Sequence, residues 1–216
     1  MIFQLVNGSA VQAFEHVCPE RIDLIHKNYR RLCNLLVDID EWGQVTVLNM
    51  LTRYARSQFM DPNKTFEDEK KSFYDDENRN EDAEDDDTTE RRTFVMDSDH
   101  RLLLRCAKPL LQSRNSGVVM AVAQLYYYVA PRSEVHIVAK SLIRLLRHHR
   151  EIQITVLKSI ASMADKHKEI FDPHLKSFYV HSNDTGLVKR YKLEILTILA
   201  TSSNIATILR ELQVGK

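Results

Sequence analysis

The sequence predicts an all-α fold, a solenoid of stacked helical pairs broken by one acidic insertion. Three observations carry that prediction. The 216 residues include only five glycines and five prolines, too few for a fold built on many tight turns. Apolar residues recur at spacings of three and four along most of the chain, the period of a helix face. A pattern of apolar helix end, short polar break and longer apolar helix returns at steps near 35 residues, and a period in that range marks stacked helical hairpins.

The elements follow in order. The opening MIFQLVN is weakly apolar without a basic flank, so it is not read as a signal peptide. No apolar run approaches the ~20 residues that a membrane-spanning helix needs. Residues 19–60 give two helices. Pro19 and Glu20 suit a first turn, with Ile22, Ile25, Tyr29, Leu32 and Leu36 on one face. A second helix opens at Asp40-Glu41 and carries Val45, Leu48, Leu51, Tyr54 and Ala55. Trp42 at its start is expected to pack.

Residues 61–97 lack this period. They hold 15 of the 30 acidic and 6 of the 30 basic residues, so the neutral chain is a basic body masked by one acidic segment. Like charge without an apolar face predicts a disordered insertion between ordered parts. With no glycine in it, the stretch cannot supply an EF-hand calcium loop. Ser72, Thr88 and Thr89 lie among acids as candidate sites for an acid-directed kinase. The chain therefore divides into helical repeats over 1–60, the insertion over 61–97 and continuing repeats over 98–216.

From Asp97 the helical period resumes. Asp97 or Ser98 caps a helix with Leu102, Leu103, Leu110 and Leu111, and Asn115-Ser116-Gly117 breaks the chain. Val118, Val119, Val122, Leu125 and Val129 form the next face, up to Pro131. Ser133 is the expected cap of a helix with Ile137, Val138, Leu142, Leu145 and Leu146; another follows with Ile154, Leu157, Ile160 and Met163. Pro173 starts a short helix, and 185–200 and 204–213 supply the last two.

Three segments superpose: PLLQSRNSGVVMAVAQLYYYVA, RLLRHHREIQITVLKSIASMA and SFYVHSNDTGLVKRYKLEILTILA. This alignment matches Val122, Leu157 and Leu193, and likewise Leu125, Ile160 and Leu196, with steps of 35 and 36 residues. One hairpin cannot bury its own apolar face, so neighbours bury each other's. The tetratricopeptide signature of Trp, Gly, Tyr and Pro is missing, and the pattern fits the HEAT or armadillo class.

Asp184-Thr185-Gly186 is the tripeptide of an aspartic protease. That chemistry needs the triad in a loop between hydrophobic strands, with a second carboxylate to share a proton. Here a polar break precedes it and a helix follows, so Asp184 is read as a helix cap. His167, His174 and His181 are seven apart, but Pro173 interrupts any helix joining them, and no H-E-x-x-H occurs, so no metal set is assigned. Glycine-rich phosphate loops are absent from the sequence. The run Arg144, Arg147, His148, His149 and Arg150 is read as cations complementing a helix C-terminus, with an acidic partner or an anionic headgroup as the alternative. Among Tyr126, Tyr127 and Tyr128, successive helical positions, some must face away from the core or pack on the next repeat, and the cluster is not read as a binding site. Cys18, Cys33 and Cys106 form no C-x-x-C and read as reduced thiols of a cytosolic protein. No catalytic residue, cofactor or metal ligand is assigned.

The long stretches GSAVQAFEHVCPERIDLIHKNYRRLCNLLVDIDEWGQVTVLNMLTRYARSQF and LKSFYVHSNDTGLVKRYKLEILTILATSSNIATILREL resemble the trunk of a large adaptin. The acidic insertion after RYARSQF, followed by MDSDHRLLLRCAKPLLQSRNSGVVMAVAQLYYYVAP, is most similar to the beta chains of adaptor protein complex 3. The resemblance runs from Gly8 to the end. It implies a non-enzymatic scaffold in a heterotetrameric vesicle-coat adaptor, which sorts cargo from Golgi and endosomes to lysosomes and lysosome-related organelles. Its implied partners are a delta-type large chain, a medium and a small chain; nucleic acid is not expected, since no aromatic platform or compact basic motif accompanies the basic body. Its implied place is the cytoplasm, peripheral on Golgi, endosomal and vesicle membranes. Contacts to a small GTPase or to lipid are implied to lie upstream, so no partner-binding residue is assigned. The family's leading trunk segment, hinge and ear are not in this stretch, which is expected to be a fragment. The alternative is another HEAT-type scaffold, a transport receptor or phosphatase scaffold.

Overall fold

The computed structural model of the protein describes residues 2–63 and 96–214. Nine α-helices lie among them: α1 Ile2–Val17, α2 Ile22–Leu35, α3 Glu41–Gln58, α4 Ser98–Ala107, α5 Ser116–Val129, α6 Arg132–Leu145, α7 Arg150–Lys166, α8 Gly186–Leu199 and α9 Ile205–Val214. Short 3-10 segments cover Lys108–Gln112, Lys168–Ile170 and Asp172–Phe178, and the described residues contain no strand.

Local chemistry sets several of the starts. The Asp40 carboxylate accepts the Gly43 N–H at the head of α3, the Asp97 carboxylate accepts the Asp99 N–H at the head of α4, and the Asn115 side chain accepts the Gly117 N–H at the head of α5. Each satisfies a backbone donor that the helix leaves unpaired. Other starts differ from the sequence reading. The opening segment, left unassigned, is α1. Pro19 and Glu20 lie in a turn before α2, whose N-cap is Arg21. Helix α6 begins one residue before Ser133, with Pro131 at the cap position, because proline already holds the φ that entry into a helix requires.

The helices form two layers. Helices α1, α3, α5, α7 and α8 follow one another in the first; α2, α4 with Lys108–Gln112, α6 and Asp172–Phe178 make the second. A single apolar core runs between them, from Val11 through Leu51, Leu125 and Leu157 to Leu199. Neighbouring repeats thus bury most of each other's apolar faces, as the sequence pattern requires. The first two members of the first layer approach closely: a Cβ built on Gly43 would stand 2.9 Å from the Gly8 Cα, so glycine is what lets α1 and α3 meet. Arg53 closes the same contact with two hydrogen bonds to Glu15, at 2.6 and 3.1 Å.

The register of the repeat needs one correction. Leu193 is 41% exposed, whereas Lys192 is 4% exposed. Val122, Leu157 and Lys192 are the matching buried positions, and so are Leu125, Ile160 and Ile195. Both steps are 35 residues. An apolar residue was expected inside, so the alignment slipped by one onto Leu193.

The two ends flanking the acidic stretch meet. Phe59 stacks on His100 with ring centroids 5.0 Å apart and planes 8° from parallel. His100 Nε2 donates to the Val129 carbonyl at 2.7 Å, and Asn63 Nδ2 donates to the next carbonyl, Ala130, at 3.2 Å. The Asn63 side-chain oxygen accepts the Arg132 N–H at 2.9 Å. Asp61–Asn63 and Met96-Asp97, counted with the insertion, are therefore fastened to the solenoid. The remainder of the expected disordered segment, with Ser72, Thr88 and Thr89, lies outside the described residues.

Candidate interaction surface

Asp184 does not cap α8. Thr185 holds the cap position, with its own hydroxyl buried and without a hydrogen-bond partner. The Asp184 carboxylate instead accepts the His181 N–H at 2.8 Å and the Lys192 ammonium at 2.7 Å, and that ammonium also donates to the Tyr179 carbonyl at 3.1 Å. Burial disfavours the Asp184 charge, but the Lys192 hydrogen bond and the His181 N–H outweigh it and hold its pKa below the usual carboxylate value. The apolar slot that Val122 and Leu157 fill in earlier repeats is taken by a cation, and the preceding loop folds back to satisfy it. A Cβ on Gly186 would meet nothing within 4 Å, so no close approach demands the glycine. These residues make a structural clasp.

Among the described residues no three of His, Cys, Asp or Glu gather in a way that could hold a metal ion. His167 packs edge-on against Tyr127 at 5.6 Å. Arg144, first of the basic run, donates to the Leu111 and Ser113 carbonyls at 2.8 and 3.1 Å, tying α6 to the turn before α5. Arg147, His148, His149 and Arg150 are exposed. All three cysteines are free thiols, and burial pushes the Cys33 pKa up to about 12. No helix among the described residues is long and apolar enough to cross a membrane.

What stands out instead is the open face of the first layer. Trp42, expected to pack, is 84% exposed. One turn on, Val45 faces a groove between α5 and α7 with a volume of about 320 Å³, floored by Met120, Ala121 and Met163. A continuation of about 290 Å³ follows the same two helices towards Ile152 and Val156. The groove exists because α5 packs broadly on α3, and α7 on α8, while α5 and α7 touch little. Gly117, Ser159 and Ser162 line the gap and are too small to fill it.

At the C-terminal end of α5 the groove closes on two aromatic rings. Tyr127 and Tyr128 meet edge to face at 5.0 Å. The Arg56 guanidinium sits 4.4 Å over the Tyr128 ring and the Lys166 ammonium 5.8 Å over Tyr127. Burial, joined by the charges of Arg132 and Lys166, lowers the pKa of His167 beside them, against a smaller pull from Glu169. The sequence reading foresaw that part of the tyrosine run would face outward: Tyr126 is buried and donates its hydroxyl to the Leu104 carbonyl at 2.9 Å, whereas Tyr128 is exposed. It missed the groove, which no local pattern announces.

A family model described as the adaptin N-terminal region matches residues 4–214. The chain belongs to the adaptin family. This adaptin chain is 58% identical, over 97% of its length and 19% of the relative's, to AP-3 complex subunit beta-1 of Bos taurus. It is 57% identical, with the same coverage, to the Homo sapiens protein of that name. To AP-3 complex subunit beta of Dictyostelium discoideum it is 47% identical, over 96% of the chain and 20% of the relative. The chain thus spans about a fifth of the length of these relatives. A structure described as the full-length AP-3 complex in an intermediate open conformation, a homology model, superposes with a TM-score of 0.67 over 96% of this chain and 34% of that one. At 21% identity that likeness speaks for the adaptin fold alone, an all-α solenoid.

Proposed function

We propose that this adaptin chain is a non-enzymatic scaffold segment of the beta-type large subunit of a vesicle-coat adaptor. In this reading it assembles with a delta-type large chain, a medium chain and a small chain. It acts at the cytoplasmic face of Golgi, endosomal and transport-vesicle membranes, in sorting cargo to lysosomes and lysosome-related organelles. The observation that carries the reading is the 57–58% identity to AP-3 beta-1 subunits along 97% of the chain. The architecture agrees with it: a solenoid gives a long, rigid and continuous surface for holding other chains.

The test is affinity capture from cytosol with the tagged chain, read by mass spectrometry. Recovery of the medium chain with the delta-type and small chains is the expected result. A defined set of unrelated partners would move the assignment to another kind of HEAT scaffold and sink this one.

A further inference from the structure

We propose that the groove between α5 and α7 docks a peptide segment of a partner protein, one bulky apolar side chain with acidic residues on one side of it. The proposal rests on the scaffold reading, since it gives the scaffold a second contact surface. Its own test is direct binding, so its failure would leave the assembly test untouched.

Three features of the groove select this ligand. The floor is apolar and adaptable: Met120 and Met163 are unbranched, polarizable side chains that reshape around an incoming group. The walls add uncharged hydrogen-bonding groups, Asn49, Gln124, Ser159 and Ser162, suited to the backbone of an extended chain. The main chamber has no carboxylate in its lining, and Glu151 stands only in the continuation, at the far end.

Charge gives the direction. Arg56 and Lys166 lie over the tyrosine pair at the near end, with Arg132 close to the same His167. The four ion pairs among the described residues engage Arg21, Arg30, Arg53 and Lys192, so these three cations carry no carboxylate partner there. Acids near this end include Glu169, felt by His167, Asp61, felt by His100, and Asp165, the neighbour of Lys166 in sequence. A basic, aromatic rim on an apolar slot is complementary to an apolar residue with acids on its tyrosine-facing side, and such complementarity fixes register and partner choice. Trp42, exposed one turn before Val45 on the same face of α3, extends the surface with the residue type most often found as an anchor.

The experiment uses the full 216-residue chain and fluorescein-labelled pools of twelve-residue peptides. In one pool a central Leu, Met or Phe has three Asp or Glu residues on its N-terminal side in half the peptides and on its C-terminal side in the rest; in the other, Lys replaces the acids. Anisotropy titration is expected to show saturable binding of the acidic pool alone, weakened by added salt. The double variant Arg56→Glu with Lys166→Glu, and separately Ser162→Trp, which plugs the slot from an exposed position, should each weaken it about tenfold or more. Unchanged circular dichroism shows that these surface changes leave the fold intact. No saturable binding, equal binding of the lysine pool, or parent-like binding by both variants overturns the proposal. Binding that emerges only when residues 64–95 are removed also overturns it, because the chain's own acidic stretch would then be the occupant.

Discussion

At the residue scale, the Lys192–Asp184 clasp decides how the third repeat holds together. Both side chains are nearly buried, 5% and 12% exposed. Removing one partner of such a pair strands the other charge, for a cost of about 3–5 kcal/mol, while replacing both can be nearly neutral. Lys192→Leu alone should therefore destabilise the chain strongly. Lys192→Leu with Asp184→Asn should recover most of that, since the slot is one that Leu157 fills elsewhere in the solenoid. Urea unfolding of these two variants and of Asp184→Asn alone gives the coupling energy, and additive losses would refute the clasp. His100 provides a second residue-level prediction. Burial holds its pKa below the ordinary histidine value of 6.5. Unfolding frees the ring to take a proton that the folded core resists. Its share of stability is therefore present above about pH 6.5 and lost as the pH falls through the lower folded value. The urea midpoint should drop between pH 7 and 5 in the parent. It should drop less in His100→Phe, which starts lower because the Val129 carbonyl loses its donor.

At the element scale, the sequence revealed the helices better than their faces. The three-four spacing found α3, α5 and α7 because apolar content and helical period coincide there. It missed α1, where the pattern is short and a turn at Pro19 offered a more visible start. It misjudged Leu193 and Trp42, because hydrophobicity alone does not say which side of a helix meets a neighbour. A buried lysine is what no binary pattern anticipates. The groove was illegible for a related reason: it depends on how far α5 and α7 diverge, which small residues permit but do not signal. This yields a paired test of register. Leu157→Asp places a charge in the sealed core and should cost several kcal/mol. Leu193→Asp, on an exposed face, should stay within about 0.5 kcal/mol of the parent. Equal thermal shifts in the two variants would restore the 36-residue step.

At the scale of the whole molecule, the solenoid is already closed by the residues on either side of the acidic stretch. The chain leaves at Asn63 and returns at Met96, and both flanks fasten to consecutive carbonyls at the end of α5, Ala130 and Val129. These are carbonyls that a helix terminus leaves without intrahelical donors, so the flanks cap α5. The Phe59–His100 stack and the Arg30–Asp99 ion pair at 2.7 Å then join the repeats on either side. Replacing 64–95 by eight Gly and Ser residues should leave helical content unchanged. Each halving of loop length recovers only ~0.6 kcal/mol of closure entropy, so the gain should be about 1 kcal/mol. The electrostatic change should be far larger. The deleted stretch holds 13 acidic and 6 basic residues, so the shortened chain becomes distinctly basic and should elute later from a cation exchanger at neutral pH. A deletion variant that lost helix cooperatively would show that residues 64–95 belong to the core. Asn63→Ala should destabilise both the parent and the shortened chain, because both keep the fastening of Asn63 to Ala130 and Arg132 that it removes.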